Sequence, residues 1–199
     1  YFAGTGNTVE GTEIIDGLHK YSPELLSSLY ASDKSTRDLW SHGPKYKFFV
    51  DGVGTLPCVG SAADPLDSCI LPLCCRGFSV CLSEAAAAFD AVGGSPELTL
   101  NLVGFSRGGV LPMMMARWVS DHGRTVKKIN ILSFDPVPGT TTALIFGDPI
   151  GQLGENFTLP NIVNQYVGIY ARDEKSYKFE PIIPHYDTRY VKDMLVSVR

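Results

Sequence analysis

The stretch Leu98-Thr99-Leu100-Asn101-Leu102-Val103-Gly104-Phe105-Ser106-Arg107-Gly108-Gly109 decides how the rest of the chain is read. Leu98 to Val103 is an apolar run of strand length. The residues from about Gly108 to Ser120, with Met113-Met114-Met115-Ala116 inside them, read as a helix. Between the two lies G-x-S-x-G. In that context the serine occupies a sharp strand-to-helix turn. The flanking glycines leave room where a Cβ would strike the neighbouring strand or helix. The helix amino terminus faces the serine oxygen and favours a developing negative charge. Ser106 is therefore the candidate nucleophile. The bland alternative is a tight turn that happens to carry a serine, and the correct flanks on both sides favour the nucleophile.

Outward from this turn, strands alternate with helices. Tyr1 to Ala3 reads as the end of a strand, Thr8 to Lys20 as a helix and Tyr46 to Val50 as a short strand. Residues 56–76, rich in Pro, Cys, Ser and Asp, read as a long loop. Phe78 to Val92 is a helix with an alanine run, broken by Gly93-Gly94-Ser95-Pro96. Lys128 to Phe134, Val163 to Tyr170 and Tyr190 to Val198 are further strands, with an irregular stretch at 139–162. Continuously apolar strands separated by helices predict an α/β fold with a mostly parallel sheet covered on both faces. Ligand sites in such sheets lie beyond the carboxyl ends of the strands. The two irregular stretches leave strands that carry candidate motifs, so one of them is expected to wall or lid the site.

Asp135 ends the strand after the serine turn. A carboxylate there can fix the tautomer of a histidine poised over Ser106 and stabilise its imidazolium. The alternative is an aspartate capping a Pro-turn, and Asp173 is the rival acid. Gly4-Thr5-Gly6-Asn7-Thr8 has two readings. Thr5 and Gly6 can complete an oxyanion hole with the N–H of Arg107. Alternatively, the loop resembles the FMN-phosphate loop of flavodoxins over this short stretch only. The histidines are His19, His42, His122 and His185. His19 and His122 read as surface residues, and His42 sits in a Ser-His-Gly-Pro loop. Only His185 comes late enough for a chain order Ser, Asp, His, but it precedes the apparent last strand.

Composition narrows the function classes. The chain has 199 residues, 44% apolar and 19% charged, with a net charge of −4. That suits one globular domain. The acidic excess offers no basic stripe to a nucleic acid. No apolar run is long enough to span a bilayer. The five cysteines are odd in number and lack zinc-type spacing, so ordinary thiols are expected, with no metal and no disulfide framework. Tyr1 already belongs to a strand, so the sequence is expected to be cut from something longer.

Five segments then fall in one order: Tyr1-Phe2-Ala3-Gly4-Thr5-Gly6-Asn7, Phe48-Phe49-Val50-Asp51-Gly52-Val53-Gly54-Thr55, Gly104-Phe105-Ser106-Arg107-Gly108, Phe134-Asp135-Pro136-Val137 and Tyr170-Ala171-Arg172-Asp173-Glu174. Together they resemble the DUF2235 group of α/β-hydrolases, which includes phospholipase effectors of type VI secretion systems. The resemblance implies an α/β-hydrolase fold and a serine esterase or phospholipase that needs no cofactor. It also implies a lipid or small ester substrate, transient contact with a membrane surface, and a secretion-apparatus or immunity partner. Such an effector would be cytoplasmic at synthesis and then exported. Ser106 matches the family nucleophile and Asp135 its acid. Ala3 stands where the family has Asp, and Phe134-Asp135-Pro136-Val137 replaces W-D-T-V. The family's histidine follows the last strand, whereas this sequence stops at Arg199. Either the base lies beyond Arg199, or His185 serves. The readings outside this class are a non-catalytic interaction domain on the same fold and an FMN-binding protein.

Overall fold

The computed structural model describes residues 1–4, 40–42, 45–53, 77–138, 158–171, 181–185 and 196–198. Two short strands, β1 (Trp40–His42) and β2 (Lys45–Lys47), pair antiparallel. They are followed by α1 (Phe78–Val92), β3 (Ser95–Phe105), α2 (Arg107–Asp121), β4 (Val126–Phe134), β5 (Val163–Ala171) and β6 (Val196–Val198). The last four strands form one sheet in the order β3-β4-β5-β6, and every pairing is parallel. This is an α/β fold built on a parallel sheet, as the apolar strands predict.

Two short segments continue the sheet beyond β3. Phe2 bridges Gly104 on one side and Val50 on the other, both in parallel. The Phe2 N–H donates to the Val103 carbonyl (2.8 Å) and the Ala3 N–H to the Val50 carbonyl (3.0 Å). The spatial order is thus Val50, Phe2, β3, β4, β5, β6. Chain connections step outward from Phe2 to Val50, and in the opposite direction from β3 onward.

The sheet is buried on the face that meets α2. In β4, Ile129, Ile131 and Ser133 are buried, while the alternating Asn130, Leu132 and Phe134 are half-buried. The α2 helix packs on β3 and β4, and α1 packs on α2. In α1 the residues Phe78, Cys81, Ala85, Ala88 and Phe89 are buried. Their spacing makes one apolar stripe, and its small residues let the helices approach closely. The α1 helix ends at Gly93, whose φ of 77° is a conformation that side chains resist. Val110, Leu111, Met113, Met115, Ala116 and Val119 fill the layer between α1 and the sheet. On the other face an amide chain crosses the middle of β3 and β4 and the start of β5. The Asn130 amide donates to Asn101 Oδ1 (2.8 Å), and the Asn164 amide to Asn130 Oδ1 (3.0 Å). No described helix is long and apolar enough to cross a membrane.

Several sequence expectations change in detail. The strand expected over Tyr46–Val50 divides: Lys47 pairs with Trp40, whereas Val50 pairs with Phe2. The continuous apolar run hides that change of partner. His42, expected in a loop, lies in β1. Ser95 and Pro96, expected to break the chain, open β3, which tolerates proline because its pairing with β4 is irregular between Ser95 and Thr99. The helix expected over Thr8–Lys20, the loop over 56–76 and residues 139–157 of the expected wall lie outside the described residues, as do Thr5, Gly6 and Asp173. Cys81 is buried, with its Sγ 3.4 Å from the Asp51 carbonyl oxygen and in no disulfide, and the other cysteines lie outside the described residues.

The Tyr1 ring stacks on Phe49, with centroids 5.3 Å apart and planes 18° apart. Burial pushes its phenol up to about 12 from 10.0. The unfolded chain gives up this proton first, so the group's stabilisation is complete below pH 10 and is lost as pH rises toward about 12. The urea midpoint is expected to fall across that window, and Tyr1→Phe to flatten the fall. An equally steep fall in the variant would assign the effect to other groups.

Candidate active site

The turn from β3 into α2 has the geometry that its glycines predict. A Cβ on Gly104 would lie 2.0 Å from the Gly108 carbonyl oxygen, in the helix. A Cβ on Gly108 would lie 2.1 Å from the Ala3 carbonyl oxygen, in the neighbouring strand segment. Both contacts are with backbone, which cannot swing aside. Ser106 between them has φ 54° and ψ −128°. It is the N-cap of α2, a position where serine normally accepts a bond from its own helix. Here its side chain makes no capping bond. The hydroxyl is left half-buried at the amino end of a 15-residue helix.

Asp135 is the partner of this turn in space. Phe105 pairs with Phe134, so Ser106 and Asp135 leave adjacent parallel strands at the same level. Among the described residues, Ser106 (φ 54°) and Asp135 (φ 44°) are the two non-glycine residues with positive φ. Each such conformation costs about 1–3 kcal/mol and persists only where its surroundings over-determine it. Those surroundings are a set of backbone bonds. The Ser106 N–H donates to the Phe134 carbonyl (2.9 Å), and the Ser106 carbonyl accepts from the N–H groups of Gly109 (2.8 Å) and Val137 (3.2 Å). The Asp135 N–H donates to the Ile169 carbonyl in β5 (2.6 Å), and the Pro136 carbonyl accepts from the Ile182 N–H (2.7 Å). Gly109 approaches Pro136 closely, since a Cβ on it would lie 3.0 Å from the Pro136 Cα. The buried Ser133 hydroxyl donates to the Gly109 carbonyl (2.8 Å).

Gly4 ends the segment beside β3, so Gly4 and Ser106 stand at the carboxyl ends of two neighbours whose connections diverge. Such a switch point leaves a crevice in open α/β sheets. Gly52 packs closely on Gly4, because a Cβ there would overlap the Gly4 carbonyl oxygen at 1.7 Å. Arg107 contributes the first N–H of α2, which has no acceptor within the helix, while its side chain is buried.

Of the histidines, His19 lies outside the described residues. His122 caps the far end of α2, stacked on Trp118 at 4.7 Å and exposed, as expected of a surface residue. A 15-residue helix puts about 22 Å between its ends. His185 bridges Thr158 in parallel, and its carbonyl accepts from the Leu159 N–H (2.8 Å). The segment 181–185 therefore runs from Pro136, at the carboxyl edge, to the chain that leads into β5. The His185 ring is exposed and, among the described residues, makes no hydrogen bond to Ser106. The structure thus brings together Ser106, Arg107 and Asp135. Sequence reasoning missed Ser133, Gly109, Val137 and Ile182, which hold them. The available signal was a serine just before the end of the apolar run Ile129-Asn130-Ile131-Leu132-Ser133-Phe134.

No protein family matches the chain, and no curated protein matches it at a significant level.

The glycine contacts make a quantitative prediction. Gly108→Ala is expected to cost more than about 3 kcal/mol, because its Cβ meets backbone that cannot retreat. Gly93→Ala, with φ 77° and open space around its Cβ, should cost only the strain of about 1–2 kcal/mol. Urea denaturation of the two variants measures the difference. Equal losses would mean that the elbow relaxes around the new methyl group.

Proposed function

We propose that the chain is a serine hydrolase of carboxylic esters, on an α/β-hydrolase fold, with Ser106 as nucleophile and Asp135 as the acid. The observation that carries this reading is the paired strain at two adjacent strand ends. A serine forgoes its capping bond in a costly backbone conformation, and an aspartate holds a second one beside it. Strained residues cluster where geometry serves chemistry. A phosphate-binding loop of the flavodoxin kind has no use for either feature.

In this reading Ser106 Oγ attacks the ester carbonyl as a histidine takes its proton. The negative charge that develops on the carbonyl oxygen meets the Arg107 N–H and the amino end of α2, with the Thr5–Gly6 loop as the second donor. The histidine, oriented by Asp135, returns the proton to the departing alcohol. Water then attacks the acyl group on Ser106 and gives its proton to the same histidine, which passes it to Ser106 Oγ as the acyl–oxygen bond breaks and the acid leaves. The resemblance to phospholipase effectors points to lipid esters as substrates, and to a secretion-apparatus or immunity partner. His185 is assigned no part as base, because its backbone is tied to Thr158 and its ring is exposed.

Hydrolysis of a short-chain p-nitrophenyl ester tests the proposal. Ser106→Ala should fold normally and lose about a thousandfold or more in kcat/KM. Asp135→Asn should lose on the order of a hundredfold or more while binding is kept. His185→Gln should retain activity, leaving the base to another histidine delivered at the carboxyl edge of the sheet. A loss as deep as that of Ser106→Ala would make His185 the base. A native chain with no esterase activity would favour the binding-domain reading.

A further inference from the structure

Ser133 is wholly buried, at 0% exposure, on the face of β4 that otherwise presents Ile129 and Ile131 to α2. Packing there asks only for an apolar side chain. A hydroxyl in such a place is unfavourable unless it is bonded, and this one donates to the Gly109 carbonyl at 2.8 Å. Gly109 lies in the first turn of α2, and its N–H donates to the Ser106 carbonyl at 2.8 Å. One peptide residue therefore links the Ser133 hydroxyl to the backbone of the serine turn.

That turn needs an outside support. Pro112 lies inside α2 and has no N–H, so the Gly108 carbonyl lacks the bond that would normally close the helix onto it. Gly104 and Gly108 supply close approach but no side-chain bonds. The Val137 N–H braces the Ser106 carbonyl from the aspartate turn. Ser133 braces the next residues from beneath, through a side chain.

We propose that Ser133 is a positioning residue for the proposed hydrolysis: its hydroxyl holds the first turn of α2 so that Ser106 and the Arg107 N–H keep their aim at the reacting carbonyl. The inference rests on the reading of Ser106 as nucleophile. Substrate binding does not depend on this hydroxyl, because Ser133 is sealed from the surface. Its loss acts on the alignment of the reacting groups, where small displacements are costly.

The test is steady-state hydrolysis of a short-chain p-nitrophenyl ester by the native chain and by Ser133→Ala, Ser133→Cys, Ser133→Thr and Ser106→Ala, with thermal unfolding of each. Ser133→Ala is expected to lose about tenfold in kcat at unchanged KM. Ser133→Thr, which keeps the hydroxyl, should recover most of the loss. Ser133→Cys keeps the volume with a weak donor and should fall between, so it carries the test if alanine or threonine fails to fold. Folded Ser133→Ala or Ser133→Cys that turns over at the native rate overturns the positioning role and leaves the nucleophile reading intact. Full activity in Ser106→Ala, or none in the native chain, overturns both.

Discussion

The hydrogen bond from the Ser106 N–H to the Phe134 carbonyl ties the exit of β3 to the exit of β4, and the remainder of the site is arranged around it. It holds the serine in a conformation that an isolated peptide would leave. It also fixes where β4 must end, and so where Asp135 begins its own turn. Val137 returns a bond to the same serine residue, and Asp135 reaches the Ile169 carbonyl in β5. Three consecutive strand ends are thereby made into one rigid rim. Rigidity of this kind lets strain be stored at Ser106 and Asp135 without being released by local motion.

A second constraint acts from the opposite side. The Ala3–Gly4 backbone fits between Gly108 and Gly52, with separations that exclude even a methyl group. The segment Tyr1–Gly4 therefore cannot shift relative to the serine turn without opening the sheet. The buried core behind it, from Phe2 and Val50 to Val110 and Met113, ties this fit to the hydrophobic effect. The site inherits its precision from main-chain packing, and its side chains add to an arrangement that the backbone has already set.

How much of this the sequence reveals depends on the range of the interaction. The α1 helix is legible to the residue, because Gly77 and Gly93 bound a clear apolar stripe. The G-x-S-x-G turn is legible because its glycines have a local cause, and the structure gives each the clash expected. The neighbourhood of Ser106 and Asp135 follows from strand order alone. The pairing of β1 with β2 does not, since Trp40-Ser41-His42 and Lys45-Tyr46-Lys47 are too short for a period to identify them. The bonds of Val137, Ile182 and Ser133 are also hidden. Those of Val137 and Ile182 join residues far apart in sequence through main-chain atoms that every residue possesses, and that of Ser133 ends on a main-chain carbonyl.

The amide chain Asn101-Asn130-Asn164 crosses the middle of β3 and β4 and the start of β5, yet it bears on where Ser106 and Asp135 sit. Apolar alternation forbids a strand to slide by one residue, because its inner and outer faces would exchange. It tolerates a slide of two, which returns every side chain to its own face. The asparagines break that degeneracy. Asn101 and Asn130 are directly paired, and Asn164 falls where the register of β5 steps between Ile129 and Asn130. A slide of two between β3 and β4 would part Asn101 from Asn130 and set Asn130 opposite Thr99 or Val103. Misaligned folds are thus penalised in the middle of the strands, and the effect is felt at their carboxyl ends, where two strand ends must stop level with each other.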